Sequence, residues 1–306
     1  MTTQKSLSSR AWAELLLLGL IWGGSFLSIR IALDEVGPLT SVAHRTFWAM
    51  LVLWGVVLVF RLPLPRDLRV WGAFFVMGML NNVIPFGLMA WGQLHVETGL
   101  TSILNATTAI FGVVVAAFAF ADERITLRRA VGVGLGFFGV ATAIGLRELL
   151  SFDVRSLAQL AILAGTLSYA IAGSFARRAL SHLAPQVAAA GMLTGATVVT
   201  VPLAWVTEGQ VTLALAPKTI LAIGYYAVIA TAFAYLLYYR VLAMAGSGNL
   251  MLVTLLIPPV AITLGALVRD EALPFSAFAG FGLLALGLLI LDGRILRRVD
   301  RPTPQG

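Results

Sequence analysis

The sequence predicts an all-α integral membrane fold: ten transmembrane helices in two inverted five-helix repeats, with both termini cytoplasmic. Three observations predict it. First, 59 % of the 306 residues are hydrophobic and only 11 % are charged, against about a quarter charged in soluble domains. With a mean hydropathy of +0.93, such a chain cannot clothe a water-facing surface. Second, its apolar residues fall into ten runs near the length of about 20 residues that a hydrocarbon core of about 30 Å demands. Third, its two halves resemble each other at a nearly constant offset. The composition is too apolar for disorder. The absence of Cys removes disulfide frameworks, thiol chemistry and Cys-based zinc sites.

The runs are 11–32, 42–60, 70–92, 97–120, 127–146, 156–179, 185–206, 217–240, 246–268 and 274–293. They are continuous and do not alternate, so they read as helices, not barrel strands. The first follows Lys5 and Arg10 but is too long for a signal-peptide core and lacks a convincing cleavage site, so it reads as an uncleaved span. Short connections leave no room for an extramembrane domain. Of the 21 Lys and Arg, 15 fall on the N-terminal side of the bundle and 6, among them Arg30, Arg45, Arg155 and Arg269, on the other. The basic excess places both termini in the cytoplasm of a bacterial-type inner membrane. The net charge of +7 then follows from topology, and no nucleic-acid partner is expected.

The repeat is legible residue by residue. Asp122-Glu123 falls on Asp270-Glu271, and Gly132, Gly134 and Gly139 fall on Gly280, Gly282 and Gly287, all at an offset of 148; Gly24-Ser25-Phe26 falls on Gly173-Ser174-Phe175 at 149, and Pro38 on Pro185 at 147. The halves are 1–149 and 150–306. Five spans per copy is an odd number, so the second copy enters the membrane upside down, an arrangement common in secondary transporters. The ordered set of Trp22-Gly23-Gly24-Ser25-Phe26 and Arg30, then Pro38 and Arg45, Asp122-Glu123-Arg124-Ile125-Thr126, Gly132 and Gly139, and Asp270-Glu271 resembles the EamA-type branch of the drug/metabolite transporter superfamily over about residues 11–293. The resemblance implies a ten-helix, two-repeat carrier with relatives such as the YddG-type amino-acid exporters. It does not fix the cargo.

Polar groups at mid-span mark a candidate chamber, because they are costly in lipid unless paired or wetted. Counting along each span puts Trp22 at the centre of the first, Asn81 and Asn82 of the third, Asn105 and Thr108 of the fourth, Ser168 and Tyr169 of the sixth, Thr231 of the eighth, and Pro258 with Pro259 of the ninth. Pro85 frees the carbonyl four residues earlier, that of Asn81. Thr98, Thr101, Asn105 and Thr108 share one helix face. The candidate substrate-binding residues are therefore Trp22, Asn81, Asn82, Asn105, Thr108, Tyr169, Thr231 and Pro258. Interhelical hydrogen bonding and passive kinks would explain several of them equally. The pairs Gly19/Gly23 and Gly132/Gly136 read as packing motifs. Tyr235 is either a cavity group or an anchor, and Tyr238-Tyr239 read as an interfacial belt.

On this count no Asp, Glu, Lys or Arg lies at mid-depth. Arg30, Arg45, Glu97, Arg240 and Arg269 sit at ends or entrances, Glu14 about one turn inside, and His44, His95 and His182 at span ends as surface groups. An uncharged chamber disfavours phosphorylated cargo, which calls for Arg or Lys. It also lacks the embedded carboxylate expected for cationic drugs. It suits neutral or zwitterionic solutes, amino acids above all, with the ammonium on carbonyls and aromatic faces. Neither a cofactor nor a catalytic constellation is expected. A channel would need a polar pore along its whole length, whereas these polar residues concentrate at one depth; a purely structural subunit would show no cargo-dependent stabilisation. Another metabolite or a drug, carried on the same fold, is the alternative cargo. Monomers suffice in principle, and the partners expected are a small-molecule substrate and lipid.

Overall fold

The computed structural model describes residues 8–121, 126–145, 153–250 and 252–292. Asp122-Glu123-Arg124-Ile125, Arg147 and the residues from 293 on lie outside the described residues. Among those described, the regular structure is all helical: α1 (Ser9–Ala32), α2 (Pro38–Val59), α3 (Leu68–Gly92), α4 (Thr98–Ala119), α5 (Leu127–Ile144), α6 (Val154–Ala179), α7 (Pro185–Glu208), α8 (three consecutive segments, Pro217–Gly224, Tyr225–Phe233 and Ala234–Leu250), α9 (Val253–Arg269) and α10 (Phe275–Asp292). The first eight are long and apolar enough to cross a membrane, and α9 and α10 are shorter apolar helices.

Capping chemistry sets where these helices begin. Ser8, Asp67, Thr126 and Asp153 each accept a first-turn N–H on their side chains, which satisfies donors a helix start leaves orphaned. Pro38, Pro185 and Pro217 occupy first positions, where a missing N–H costs nothing. These caps start α2 at Pro38, four residues before the apolar run at 42 suggests. That difference moves Arg45 and His44 from the helix entrance to its second turn, and His44 is buried.

The principal helix pairings map onto themselves when α1–α5 are exchanged with α6–α10. The pairs α2/α7, α4/α9 and α5/α10 are self-equivalent; α1/α9 exchanges with α4/α6, α3/α7 with α2/α8, and α3/α6 with α1/α8. Equivalent helices run antiparallel. Thr46 meets Thr200 while Trp54, further on, meets Thr194, further back. Likewise Gly132 abuts Gly287 and Gly139 abuts Gly280. Close backbone approach through small residues is how helices gain packing in lipid, and the offset of 148 makes each glycine contact the mirror of the other.

Irregularities recur at corresponding places. A π-helical stretch interrupts α3 at Met79–Val83 and α8 at Tyr225–Phe233. The α4 helix breaks after Asn105 and resumes at Thr108, and the chain breaks again between Leu250 and Val253. This last break differs from the expected uninterrupted ninth span: residues 246–250 continue α8, and Pro258 and Pro259 become the sixth and seventh residues of α9 rather than its middle.

Candidate functional site

Arg45 is the centre of the site. It is the eighth residue of a 22-residue helix, about 10 Å past its start at 1.5 Å per residue, which corrects its expected place at an entrance and the expectation of a chamber without charge. The guanidinium carbon lies 3.7 Å from the centroid of the Phe86 ring, a cation–π contact. The Nε donates to the Thr231 hydroxyl at 2.9 Å. Its electrostatic neighbours are the phenols of Tyr169, Tyr235 and Tyr226. No carboxylate among the described residues pairs with it.

Each partner is placed by a local feature of the chain. In the wide π turn of α8, the Thr231 hydroxyl donates back to the Tyr226 carbonyl five residues earlier, at 2.7 Å; its oxygen stays available to Arg45. Tyr226 is fully buried and exchanges hydrogen bonds with Ser41, one turn before Arg45: the Ser41 hydroxyl donates to the phenol oxygen at 3.1 Å, and the phenol donates to the Ser41 carbonyl at 3.2 Å. Phe86 stands edge-on to Tyr169 of α6, with ring centroids 6.3 Å apart. The π stretch of α3 sends the Ile84 N–H back to Met79, and Pro85 has no N–H, so the carbonyl left over is that of Leu80, not that of Asn81 as regular α-helical spacing predicts. Ser168 of α6 donates to it at 2.6 Å.

Of the sequence candidates, the structure gathers Asn81, Asn82, Tyr169 and Thr231 around Arg45. Both Asn side chains donate to the Tyr235 hydroxyl, at 3.2 and 3.4 Å. Trp22 borders the group: its indole N–H donates to the Ala230 carbonyl at 3.1 Å, and its ring lies 5.9 Å from that of Tyr238. Tyr238 therefore packs against the group through Trp22. Asn105 and Thr108 flank the break in α4, where the Thr108 hydroxyl returns to the Asn105 carbonyl at 2.8 Å; no described contact joins them to Arg45. Pro258 is buried in α9, which packs on α1 through Gly19 and Gly23. Sequence reasoning missed Arg45, Phe86 and Tyr226 and left Tyr235 undecided. Pro38 at a helix start, which adds a turn before Arg45, was the signal for the first of them. Tyr235→Phe removes the acceptor of two amides, one of them on fully buried Asn82. It should destabilise the protein by about 1–3 kcal/mol, read as a lower unfolding temperature in detergent.

One end of the bundle is latched by carboxylates. Asp34 accepts from Arg30 at 3.1 Å and from Arg269 of α9. Glu97 takes Arg155 of α6 in a two-pronged pair at 3.0 and 2.7 Å. Glu208 accepts the Leu39 and Thr40 N–H groups at 3.0 and 2.8 Å, Glu35 the Ala216 N–H and the Thr219 hydroxyl, and Glu271 the Thr98 hydroxyl at 2.8 Å. Apart from Arg30–Asp34, each joins the first half of the chain to the second, and three place a carboxylate at a helix N-terminus, where the macrodipole favours it. At the opposite end Glu14 binds Arg10 and Arg240, at 3.2 and 2.6 Å, tying α1 to α8.

The Thr219 hydroxyl, with the Ala216 N–H, holds the Glu35 carboxyl below its ordinary value. At Asp34 burial pushes upward, but Arg269, with Arg30 and Lys218, more than offsets it and the net shift is downward. A lowered folded-state value means stabilisation that is complete above the unfolded value, about 4.3 for Glu, and lost as pH falls through the folded one. The unfolding temperature of Glu35→Gln should therefore lie below that of the parent at neutral pH, with the gap closing below about pH 4; a gap constant from pH 3 to 7 would contradict the latch.

Comparison with known proteins agrees with this architecture. A family model described as the EamA-like transporter family matches twice, at residues 11–145 and 156–291. A protein of Escherichia coli described as a probable amino-acid metabolite efflux pump is 26 % identical over 287 residues, covering 90 % of this chain and 92 % of its own. A probable terminal-alkyne amino-acid exporter of Streptantibioticus cattleyicolor is 26 % identical over 303 residues, covering 97 % and 98 %. An uncharacterised transporter of Bacillus subtilis, YoaV, is 22 % identical over 280 residues, covering 91 % and 95 %. A solved crystal structure superposes with a TM-score of 0.66 at 16 % identity over 96 % of this chain and 99 % of that one, a likeness of fold. With the model matched once in each half of an apolar chain whose described regular structure is all helical, this multi-pass membrane protein belongs to the EamA-like transporter family.

Proposed function

We propose that the chain is a secondary carrier that exports small neutral or zwitterionic metabolites, with amino acids as the favoured class, by alternating access. In this reading ten spans form two inverted five-helix repeats, residues 1–149 and 150–306, in the bacterial inner membrane with both termini in the cytoplasm. The latched end then faces outward, consistent with its few basic residues. The observation that carries the reading is the polar and aromatic cluster between the halves, where Arg45 of α2 meets Phe86 of α3 and Thr231 of α8 with Tyr169 of α6 beside it. Its charge changes the cargo argument in one respect. A fixed cation repels cationic drugs and offers a carboxylate a partner, while Trp22, Tyr169 and Tyr238 supply faces for an ammonium. Antiparallel pairing of equivalent helices and the exporter descriptions of the relatives support the same reading.

The test is counterflow in proteoliposomes. Vesicles loaded with an unlabelled amino acid should transiently accumulate the labelled one, with saturable rates. Movement of some other solute and of no amino acid would remove the substrate claim. Ion currents far above carrier turnover would remove the carrier.

A further inference from the structure

We infer that Arg45 is the specificity-determining residue of the central site: it recognises a carboxylate of the cargo, which makes the carboxylate obligatory and the amino group dispensable. The inference rests on the carrier reading above and deepens it by naming which half of a zwitterion is selected. Three observations lead to it.

The first is an unbalanced charge. A guanidinium two turns inside an apolar helix carries a large desolvation cost unless it is paired, and no described carboxylate pairs with it. Of the ten described acids, Glu14, Asp34, Glu35, Glu97, Glu208 and Glu271 are engaged at the bundle ends, Asp67 and Asp153 cap helix starts, and Asp270 and Asp292 stand at the ends of α9 and α10. The second is the disposition of the donors. Among the described residues only Nε has a protein acceptor, Thr231, and the Phe86 ring covers one face of the plane. The Arg45 side chain is half-buried, not sealed off. Two adjacent N–H donors with a fixed plane match a carboxylate in the bidentate geometry for which Arg, unlike Lys, is preorganised. The third is the asymmetry of the chamber. The Tyr169 and Tyr235 phenols and the Asn81 and Asn82 amides can donate further hydrogen bonds to an anion, whereas the Tyr226 O–H is committed to the Ser41 carbonyl. An ammonium finds carbonyls and ring faces but no described carboxylate, so its recognition is the weaker half.

The experiment uses the purified full-length chain and matched probes for three side-chain sizes. Alanine, leucine and phenylalanine are each compared with the corresponding amide, the decarboxylated amine and the deaminated acid. The readouts are ligand-induced shifts in unfolding temperature and inhibition of counterflow. The amino acids and deaminated acids should stabilise the protein, whereas amides and amines should not. Arg45→Gln should weaken carboxylate binding roughly ten- to hundredfold, the loss of one charge-assisted pair. Arg45→Lys, which keeps the charge but loses the fork, should retain part of the binding. Amines or amides as effective as acids, stabilisation by none of the carboxylates, or unchanged binding in a folded Arg45→Gln protein would overturn the inference. If Arg45→Gln fails to fold, the probe series on the parent and Arg45→Lys still decides. Failure of the carrier reading looks different: carboxylates bind through Arg45, yet no amino acid crosses the vesicle membrane.

Discussion

Gly280→Ala should destabilise the protein far more than Gly282→Ala, although the two positions lie two residues apart in the same apolar helix. A methyl carbon at position 280 would stand 2.4 Å from the Ala143 nitrogen and 2.5 Å from the Gly139 carbonyl oxygen, both backbone atoms of α5, whereas one at 282 would meet nothing within 4 Å. Backbone cannot rotate aside as a side chain can, so the helices must part, and the contacts on either side are lost with them. Overpacking of this kind costs about 1–3 kcal/mol and more where the obstacle is rigid; Gly280→Val should exceed it. At 282 the helical preference for Ala over Gly favours the variant by up to about 1 kcal/mol. The repeat supplies an independent copy of the experiment. Gly132 and Gly139 abut the backbone of α10, while Gly134, the partner of Gly282 at an offset of 148, faces open space. Unfolding temperatures in detergent should separate 132, 139 and 280 from 134 and 282; equal values would mean that α5 and α10 do not pack through these residues.

These glycines were legible before any coordinates, because close packing in lipid leaves a residue-type signature that does not depend on side-chain direction. The same holds for the apolar runs. The chamber was legible only in part. Asn81, Asn82, Tyr169 and Thr231 converge because polar groups at one depth have few other ways to be satisfied. Asn105 and Thr108 satisfy that rule differently, at a helix break where a hydroxyl returns to its own backbone, and a count of depth cannot tell the two solutions apart. Arg45 was misplaced because an apolar count does not see capping. The helix starts where Pro38 fits, four residues ahead of the apolar run, and that one turn carries a charge from the rim to the interior. Tyr235 was ambiguous for another reason: the π stretch at Tyr225–Phe233 rotates all that follows it, so regular helical periodicity mispoints its ring.

Joining the latched end covalently should abolish transport. An ideal Cβ at Gly265 of α9 would lie 3.5 Å from the Cβ of Thr98 of α4, within the range of disulfides, about 3.5–4.5 Å. The only side-chain obstacle nearer than this is the Glu271 carboxylate, at 2.5 Å. Thr98 is the residue that holds that carboxylate, so Thr98→Cys releases the obstacle that Gly265→Cys would meet. The parent chain has no Cys, which leaves the engineered pair as the only disulfide that one molecule can form. Thr98 belongs to the first half of the chain and Gly265 to the second. If the halves must part at this end to release cargo, the oxidised double variant binds its ligand but passes none across the membrane, while either single variant, or the double variant under reductant, does. Flux in the oxidised protein equal to that of the reduced one would show that α4 and α9 stay together throughout the cycle, and the latch would then be a fixed hinge about which the opposite end opens. The two outcomes differ by nearly the whole counterflow signal, so a single vesicle preparation assayed before and after reduction distinguishes a gate from a pivot.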